Sequence, residues 1–280
     1  MYNLNYDCGR SISHVMKNDK ILETIYLYDE KYKCSDKCNK KCCDYHQTIK
    51  TQFNHIMMPE NIVMLPSFNN LKHQISVFYI TGAQGTGKSV IAAKLMKLYK
   101  HKNKGCPIYC ISECKSDDTI DSLISKKITP LEIKEDNLTF EDFQDIATEY
   151  GSICLLFDDI DSVSDVKQKG VSLKYLVYQL LNSLINNSRK YNINIIYTSH
   201  KPLEGAYSKT ILNSCSNWIY FNSNITNNIK NCMLNYMGLT KKQMKNLLEL
   251  QNTRWTCINR TIPITITTEK ETFILEPDLS

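Results

Sequence analysis

Gly82-Ala83-Gln84-Gly85-Thr86-Gly87-Lys88-Ser89 is the stretch that decides the fold. It follows residues 75–81, an apolar run rich in β-branched side chains. It leads into residues 87–99, where Val90, Ile91, Leu95 and Leu98 recur at helical spacing. Glycines between a strand and a helix, closed by Lys-Ser, make a phosphate-binding P-loop. The glycines let the backbone turn tightly enough to aim its N–H groups at phosphate oxygens. The helix adds the positive end of its dipole. In such a loop Lys88 reaches the β- and γ-phosphates and the Ser89 hydroxyl ligates Mg²⁺.

Downstream, Cys154-Leu155-Leu156-Phe157-Asp158-Asp159 is an apolar run ending in two carboxylates, the Walker B pattern. Adjacent side chains at a strand end point in different directions and can take different roles. Asp158 is expected to hold Mg²⁺ and Asp159 to polarise an attacking water. The same residues also read as an acidic turn that caps a helix, with Asp161 as the cap. Further strands are expected over residues 107–112, 193–198 and 218–221, and helices over 117–126, 140–150 and 173–187. Alternating strands and helices imply a parallel sheet covered on both faces. The expected class is therefore α/β, a RecA-like P-loop NTPase with a central, mainly parallel sheet. After residue 226 the pattern becomes a basic helical stretch and then a hairpin over 255–274. No Asn-Lys-x-Asp base-reading motif is present, which speaks against a switch-type GTPase and leaves ATP as the expected nucleotide.

The chain has 280 residues, 42% of them hydrophobic, enough for a substantial core. A net charge of +5 permits a polyanionic partner without demanding one. The basic side chains are nearly all lysine; the arginines are Arg10, Arg189, Arg254 and Arg260. That short supply speaks against a small-molecule kinase with an arginine-rich lid. No run of about 18 apolar residues occurs, so no membrane span is expected. The first 20 residues have no apolar core of a secretory signal, so a cytoplasmic, reducing location is expected. Twelve cysteines there read as buried thiols or metal ligands.

Ser188-Arg189-Lys190-Tyr191-Asn192 followed by Ile193-Asn194-Ile195-Ile196-Tyr197-Thr198-Ser199-His200-Lys201-Pro202 resembles the FtsK–HerA superfamily of DNA-translocating ATPases. In that superfamily an arginine closes a helix, and the strand after it ends in a polar residue, usually glutamine. His200 stands where the glutamine would be, and Arg189 at the position of an arginine finger that acts on a neighbouring subunit's ATP. Gly205-x2-Ser208-Lys209, Tyr236-x-Gly238-Leu239 and Thr253-Arg254-Trp255 look like the genome-packaging ATPases of large cytoplasmic DNA viruses, the poxvirus-type branch included. Ser208-Lys209 replaces a Thr-Arg frequent in that branch. The resemblance covers residues 75–276. It implies a homo-oligomeric ring, double-stranded DNA as partner, a capsid or portal-like viral protein as docking site, and work in the host cytoplasm or virion. Read from the residues alone, Arg189 also fits a solvated helix end and His200 a structural role.

Residues 1–70 are expected to form an extension to an ATPase domain at 71–280, with residues 51–73 a connector holding Pro59 and Pro66. Cys34, Cys38, Cys42 and His46 recur every four residues, with Cys43 alongside, a ligand set suited to Zn²⁺. On a straight helix the outer two lie about 18 Å apart, so a single site needs the segment to fold back, near Asn39-Lys40, or some ligands to come from elsewhere. A cysteine-rich amphipathic helix is the other reading. Cys106, Cys110, Cys114 and Cys154 read as packed thiols. Between residues 226 and 262 stand Lys230, Lys241, Lys242, Lys245, Arg254 and Arg260 against Glu249 alone. That balance suits phosphate-backbone contact or a solvated helix face. Trp255 reads as core or as a base-stacking ring. The expected function is ATP hydrolysis coupled to moving double-stranded DNA into a viral capsid. An AAA+-type loader or remodeller and a slow nucleotide-gated assembly switch are the rivals.

Overall fold

The computed structural model describes residues 2–7, 9–29, 53–69, 75–114, 116–163, 167–168, 171–203, 205–250 and 253–276. Cys34, Cys38, Cys42, Cys43 and His46 lie outside the described residues. Among those described, no group of three or more His, Cys, Asp or Glu is placed to hold a metal ion. No helix among them is long and apolar enough to cross a membrane.

The P-loop strand, β6 (Val77–Thr81), lies inside a ten-stranded sheet between β12 (Ile193–Ser199) and β13 (Asn217–Phe221), parallel to both. Beyond β12 come β9 (Ile153–Phe157), β7 (Ile108–Ile111) and β8 (Lys126–Ile128), all parallel. On the other side β14 (Trp255–Asn259), β15 (Thr265–Thr268), β16 (Glu271–Ile274) and β4 (His55–Met57) continue the sheet antiparallel. The sheet is thus a parallel core of six strands with an antiparallel wing.

The continuous apolar runs resolve into two faces because side chains alternate across a strand. Val77 and Tyr79, with Leu155, Phe157, Ile195 and Tyr197, join one core under α3 (Phe140–Tyr150), α4 (Leu173–Tyr191) and α5 (Gly205–Ser214). Phe78 and Ile80, with Cys154, Leu156 and Ile196, join the other under α1 (Lys88–Lys102). A capping box of Thr139 and Asp142 starts α3, and Asn192 in the left-handed region ends α4, where asparagine is tolerated better than most side chains.

Residues 2–7, 9–29 and 53–69 hold more regular structure than their polar composition implied. β1 (Tyr2–Asn5), β2 (Arg10–Lys17), β3 (Lys20–Asp29) and β5 (Val63–Pro66) make a second, antiparallel sheet around Leu4, Ile12, Val15, Ile25 and Met64. Phe68 packs edge-on against Phe78 and Tyr99, at centroid distances of 5.0 and 5.6 Å, and so joins this part to α1. β4, from the expected extension, pairs with β16 in the large sheet.

Two local readings are corrected. Residues 117–126 do not form a continuous helix. Asp121 accepts the Asp117 N–H (2.9 Å) and Asp117 the Thr119 N–H (2.8 Å), and a single 3₁₀ turn, Asp121–Leu123, follows before the backbone extends at Ile124. The segment ends in edge strand β8. The hairpin at 255–274 is a three-stranded meander, β14 to β16. Trp255 is core, 2% exposed.

Candidate active site

The site stands at the carboxyl ends of β6, β9 and β12, where a parallel sheet leaves room between its loops. Gly82 leaves β6 with its N–H on the Ser199 carbonyl (3.1 Å). A Cβ on Gly82 would lie 2.6 Å from Thr86 Oγ1 and 2.7 Å from Phe221 Cδ2, so only glycine fits. Thr86 Oγ1 in turn donates to the Ala83 carbonyl (2.8 Å), closing the loop on itself. Gly87, the N-cap of α1, takes a φ of 103°, a left-handed backbone that L side chains rarely adopt. Gln84 and Gly85 form the exposed crest of the loop, and Ser89 is half-buried in the first turn of α1.

Lys88 is buried, and its Nζ donates to the carbonyls of Gly82 (3.1 Å) and Ala83 (3.4 Å) and to His200 Nδ1 (3.1 Å). Burial holds its pKa below the ordinary lysine value, opposed by Asp159, Asp158 and Asp161. His200 Nε2 reaches Asp159 Oδ2 at 3.1 Å, and Asp159 Oδ1 lies 4.0 Å from Lys88 Nζ. Lysine, histidine and aspartate thus form a closed triangle. Asp159 adopts a left-handed backbone (φ 46°), held by its N–H on Thr198 Oγ1 (2.9 Å). That turn sends Asp158 and Asp159 to different places, as their adjacency implied.

Asp158 is buried, and burial raises its pKa above the usual carboxylate range; a hydrogen bond from Thr198 Oγ1 (2.9 Å) pulls the other way. Asp158 and the Ser89 hydroxyl are oxygen donors, the chemistry that Mg²⁺ prefers. A divalent cation beside Asp158 would favour the ionised form that burial disfavours. The residues present therefore fit Mg²⁺.

Arg189 is not brought to this triangle. It is exposed in the last turn of α4, beyond the opposite end of β12 from His200. Seven strand residues separate the two ends, about 20 Å at ~3.3 Å per residue.

Arg260, grouped by sequence with the phosphate-facing cations, instead donates from Nη1 to the carbonyls of Leu212 (2.7 Å) and Asn213 (2.9 Å), satisfying the end of α5. Arg254 is exposed and pairs with Glu269 at 3.4 Å. Lys241, Lys242 and Lys245 are exposed on α7 (Lys241–Leu248), and Lys230 is half-buried on α6 (Asn227–Asn235). Cys110 and Cys154 are buried thiols, and burial pushes Cys110 up to about 12. Cys106 is half-buried and packs against the core under α1, as expected, whereas Cys114 is exposed.

Sequence reasoning missed Thr198, whose one hydroxyl touches both Asp158 and Asp159, and Phe221, which backs the P-loop glycines. A polar Thr-Ser pair at the end of an otherwise apolar strand was the available sign of the first. Nothing in the sequence marks the second.

Residues 72–205 match the family described as an AAA domain. The chain is 33% identical over 218 residues to uncharacterized protein V3 of Sputnik virophage, covering 76% of this chain and 81% of the relative. Among solved structures it is similar to B204, the DNA-packaging ATPase from Sulfolobus Turreted Icosahedral Virus. The identity is 13%, across 69% of this chain and 96% of that one, with a TM-score of 0.46. It is also similar to the pCW3 conjugation coupling protein TcpA in its monomer form with ATPgS. There the identity is 14%, across 96% of this chain and 79% of that one, with a TM-score of 0.48.

Proposed function

We propose an ATP-driven motor that moves double-stranded DNA, and the premise is membership: the chain belongs to the family of the Sputnik virophage protein V3 and carries an AAA-type P-loop NTPase domain. The observation that carries the hydrolytic part is the triangle of Lys88, Asp159 and His200 beside buried Asp158. Its members come from three different strand ends and meet only in the fold.

In this reading ATP lies along residues 82–89 with its γ-phosphate toward the triangle. Lys88 turns from the Gly82 and Ala83 carbonyls to phosphate oxygens. Asp159 takes the proton of the attacking water, and His200 is released to hydrogen-bond the γ-phosphate. Ser89 and Asp158 would hold Mg²⁺, which would supply positive charge near the phosphoryl group. Arg189, at the other end of β12 from the triangle, is assigned in this reading to a neighbour's nucleotide, which makes the working form a ring.

The DNA part rests on the motif resemblance of residues 188–202, on a relative encoded by a virophage, and on the cations of α6 and α7. Lys230, Lys241, Lys242 and Lys245 contact phosphates without reading sequence. The cargo is a viral genome, the docking partner a capsid or portal-like protein, and the setting the host cytoplasm. The test is ATP turnover with and without double-stranded DNA. Stimulation that fades steeply with salt supports the motor. Turnover indifferent to DNA but raised by a protein partner supports a remodelling ATPase instead.

A further inference from the structure

β12 carries two sets of polar groups on its two faces. Thr198 points to Asp158 and Asp159, whereas Tyr197 and Ser199, one residue to either side, point to Asp161. The Asp161 carboxylate accepts three hydroxyl donors: Tyr178 OH at 2.9 Å and Tyr197 OH at 2.7 Å on Oδ1, and Ser199 Oγ on Oδ2. The two tyrosine oxygens are 3.0 Å apart. Tyr197 is fully buried and Tyr178 nearly so, so these bonds form in a poorly solvated place where charge-assisted hydrogen bonds are strong.

The cluster reaches past His200. Ser199 Oγ accepts the Lys201 N–H (3.2 Å), and Tyr79 OH donates to the carbonyls of Lys201 (3.0 Å) and Pro202 (3.2 Å). His200 is therefore clamped at both neighbours. Tyr178 also stacks on Tyr207 of α5, with centroids 4.1 Å apart and rings 4° from parallel. One carboxylate thus joins the Walker B exit, the end of β12, α4 and α5.

We propose that Asp161 is a positioning residue: it fixes the end of β12 so that His200 meets the nucleotide, and through Tyr178 and Tyr207 it passes the nucleotide state to α5. This role rests on the ATPase reading above. Asp161 touches no reacting atom. Its amide isostere still accepts hydrogen bonds but loses the charge that draws three hydroxyls together.

The experiment compares wild type, Asp161→Asn, Ser199→Ala and Tyr207→Leu, with Lys88→Ala as control. It measures kcat, KM, ATPγS affinity, melting temperature, and amide exchange in residues 205–214 with and without ATPγS. Asp161→Asn is expected to lower kcat on the order of 10²-fold, as a misplaced group does, with KM and ATPγS affinity held within about threefold. It is also expected to abolish the ATPγS-dependent protection of α5. Tyr207→Leu keeps the clamp, so kcat stays near wild type while the α5 response is lost. If Asp161→Asn does not fold, Ser199→Ala removes one bond and keeps the carboxylate, and kcat is expected to fall about tenfold at unchanged KM. Wild-type kcat and an intact α5 response in Asp161→Asn overturn the proposal. So does a loss of kcat, affinity and melting temperature together, the mark of a purely structural residue. A wild type that binds ATPγS without turning ATP over sinks the ATPase reading alone, and the exchange comparison still decides the coupling.

Discussion

The Nζ of Lys88 and the Nδ1 of His200 are 3.1 Å apart. An ammonium has donors only, so Nδ1 accepts, and the ring proton sits on Nε2, donating to Asp159. A lysine held this way must exchange its partner for phosphate when a nucleotide arrives.

Glutamine has the same two capacities, a carbonyl to accept from Lys88 and an amide to donate to Asp159. His200→Gln is therefore expected to keep ATP turnover within about tenfold of wild type, whereas His200→Ala loses about 10²-fold or more, a typical cost for a positioned polar group. Asp159→Asn is expected to bind ATP normally and to lose about 10²- to 10⁴-fold in kcat, the range for a general base. Saturating-ATP turnover decides. Full activity in His200→Ala or Asp159→Asn removes that residue from the mechanism.

Gly82→Ala puts a methyl 2.6 Å from Thr86 Oγ1 and 2.7 Å from a rigid ring at Phe221. The expected cost is about 1–3 kcal/mol of stability, as for overpacking elsewhere, with weaker nucleotide binding because the loop shifts. Phe221→Leu in the same chain frees the ring position and is expected to restore part of both. A thermal melt and a fluorescent-nucleotide titration of the single and double variants check this. Equal stability of Gly82→Ala and wild type contradicts the contact.

The folded pKa of Asp158 lies above its unfolded value because burial disfavours the carboxylate. Its contribution favours folding at pH below the unfolded value and is withdrawn as pH rises through the folded one. Above the folded pKa, without Mg²⁺, the ionised group is a cost. Asp158→Asn is thus expected to be more stable than wild type by about 1 kcal/mol, the usual gain when a functional carboxylate is relieved, while hydrolysing no ATP. The gap narrows as pH falls through the folded pKa and when Mg²⁺ is added. Melting curves at several pH values test it, and a less stable variant at neutral pH is the contrary result.

Much of the site was legible because its chemistry is local. Eight consecutive residues form the P-loop, and two consecutive carboxylates follow the end of β9. The parallel strands were legible because each is an unbroken apolar run. Phe221 was not, since it meets Gly82 across 139 positions and its type is ordinary for a strand. The N-terminal sheet was hidden by polar residues such as Asn3, Asn5, Ser11 and Ser13, which are buried here and dilute the apolar pattern. Residues 117–126 misled because their helical turns stop at Leu123, where Ile124 becomes extended and leads into β8.

Arg189 and Lys88 lie at opposite strand ends of the sheet, and that separation makes the proposed ring testable. Lys88→Ala and Arg189→Ala are each expected to be inactive, the second by about 10³-fold. Mixed together, they form some interfaces that pair an intact P-loop with an intact arginine, so activity is expected to return in part. Co-assembled mixtures that stay inactive rule out an arginine acting between subunits.

β4 closes the outer edge of the large sheet, pairing Ile56 with Thr272. Those partners are 216 positions apart, so a ribosome releases one long before the other. Until β16 appears, the early strand has nothing to zip onto, and the late strand, once made, is a bare rim able to recruit another copy until residues 55–57 cover it. The nascent chain therefore gains most by being shielded late, in the interval between completing the nucleotide-binding core and seating its first-made edge.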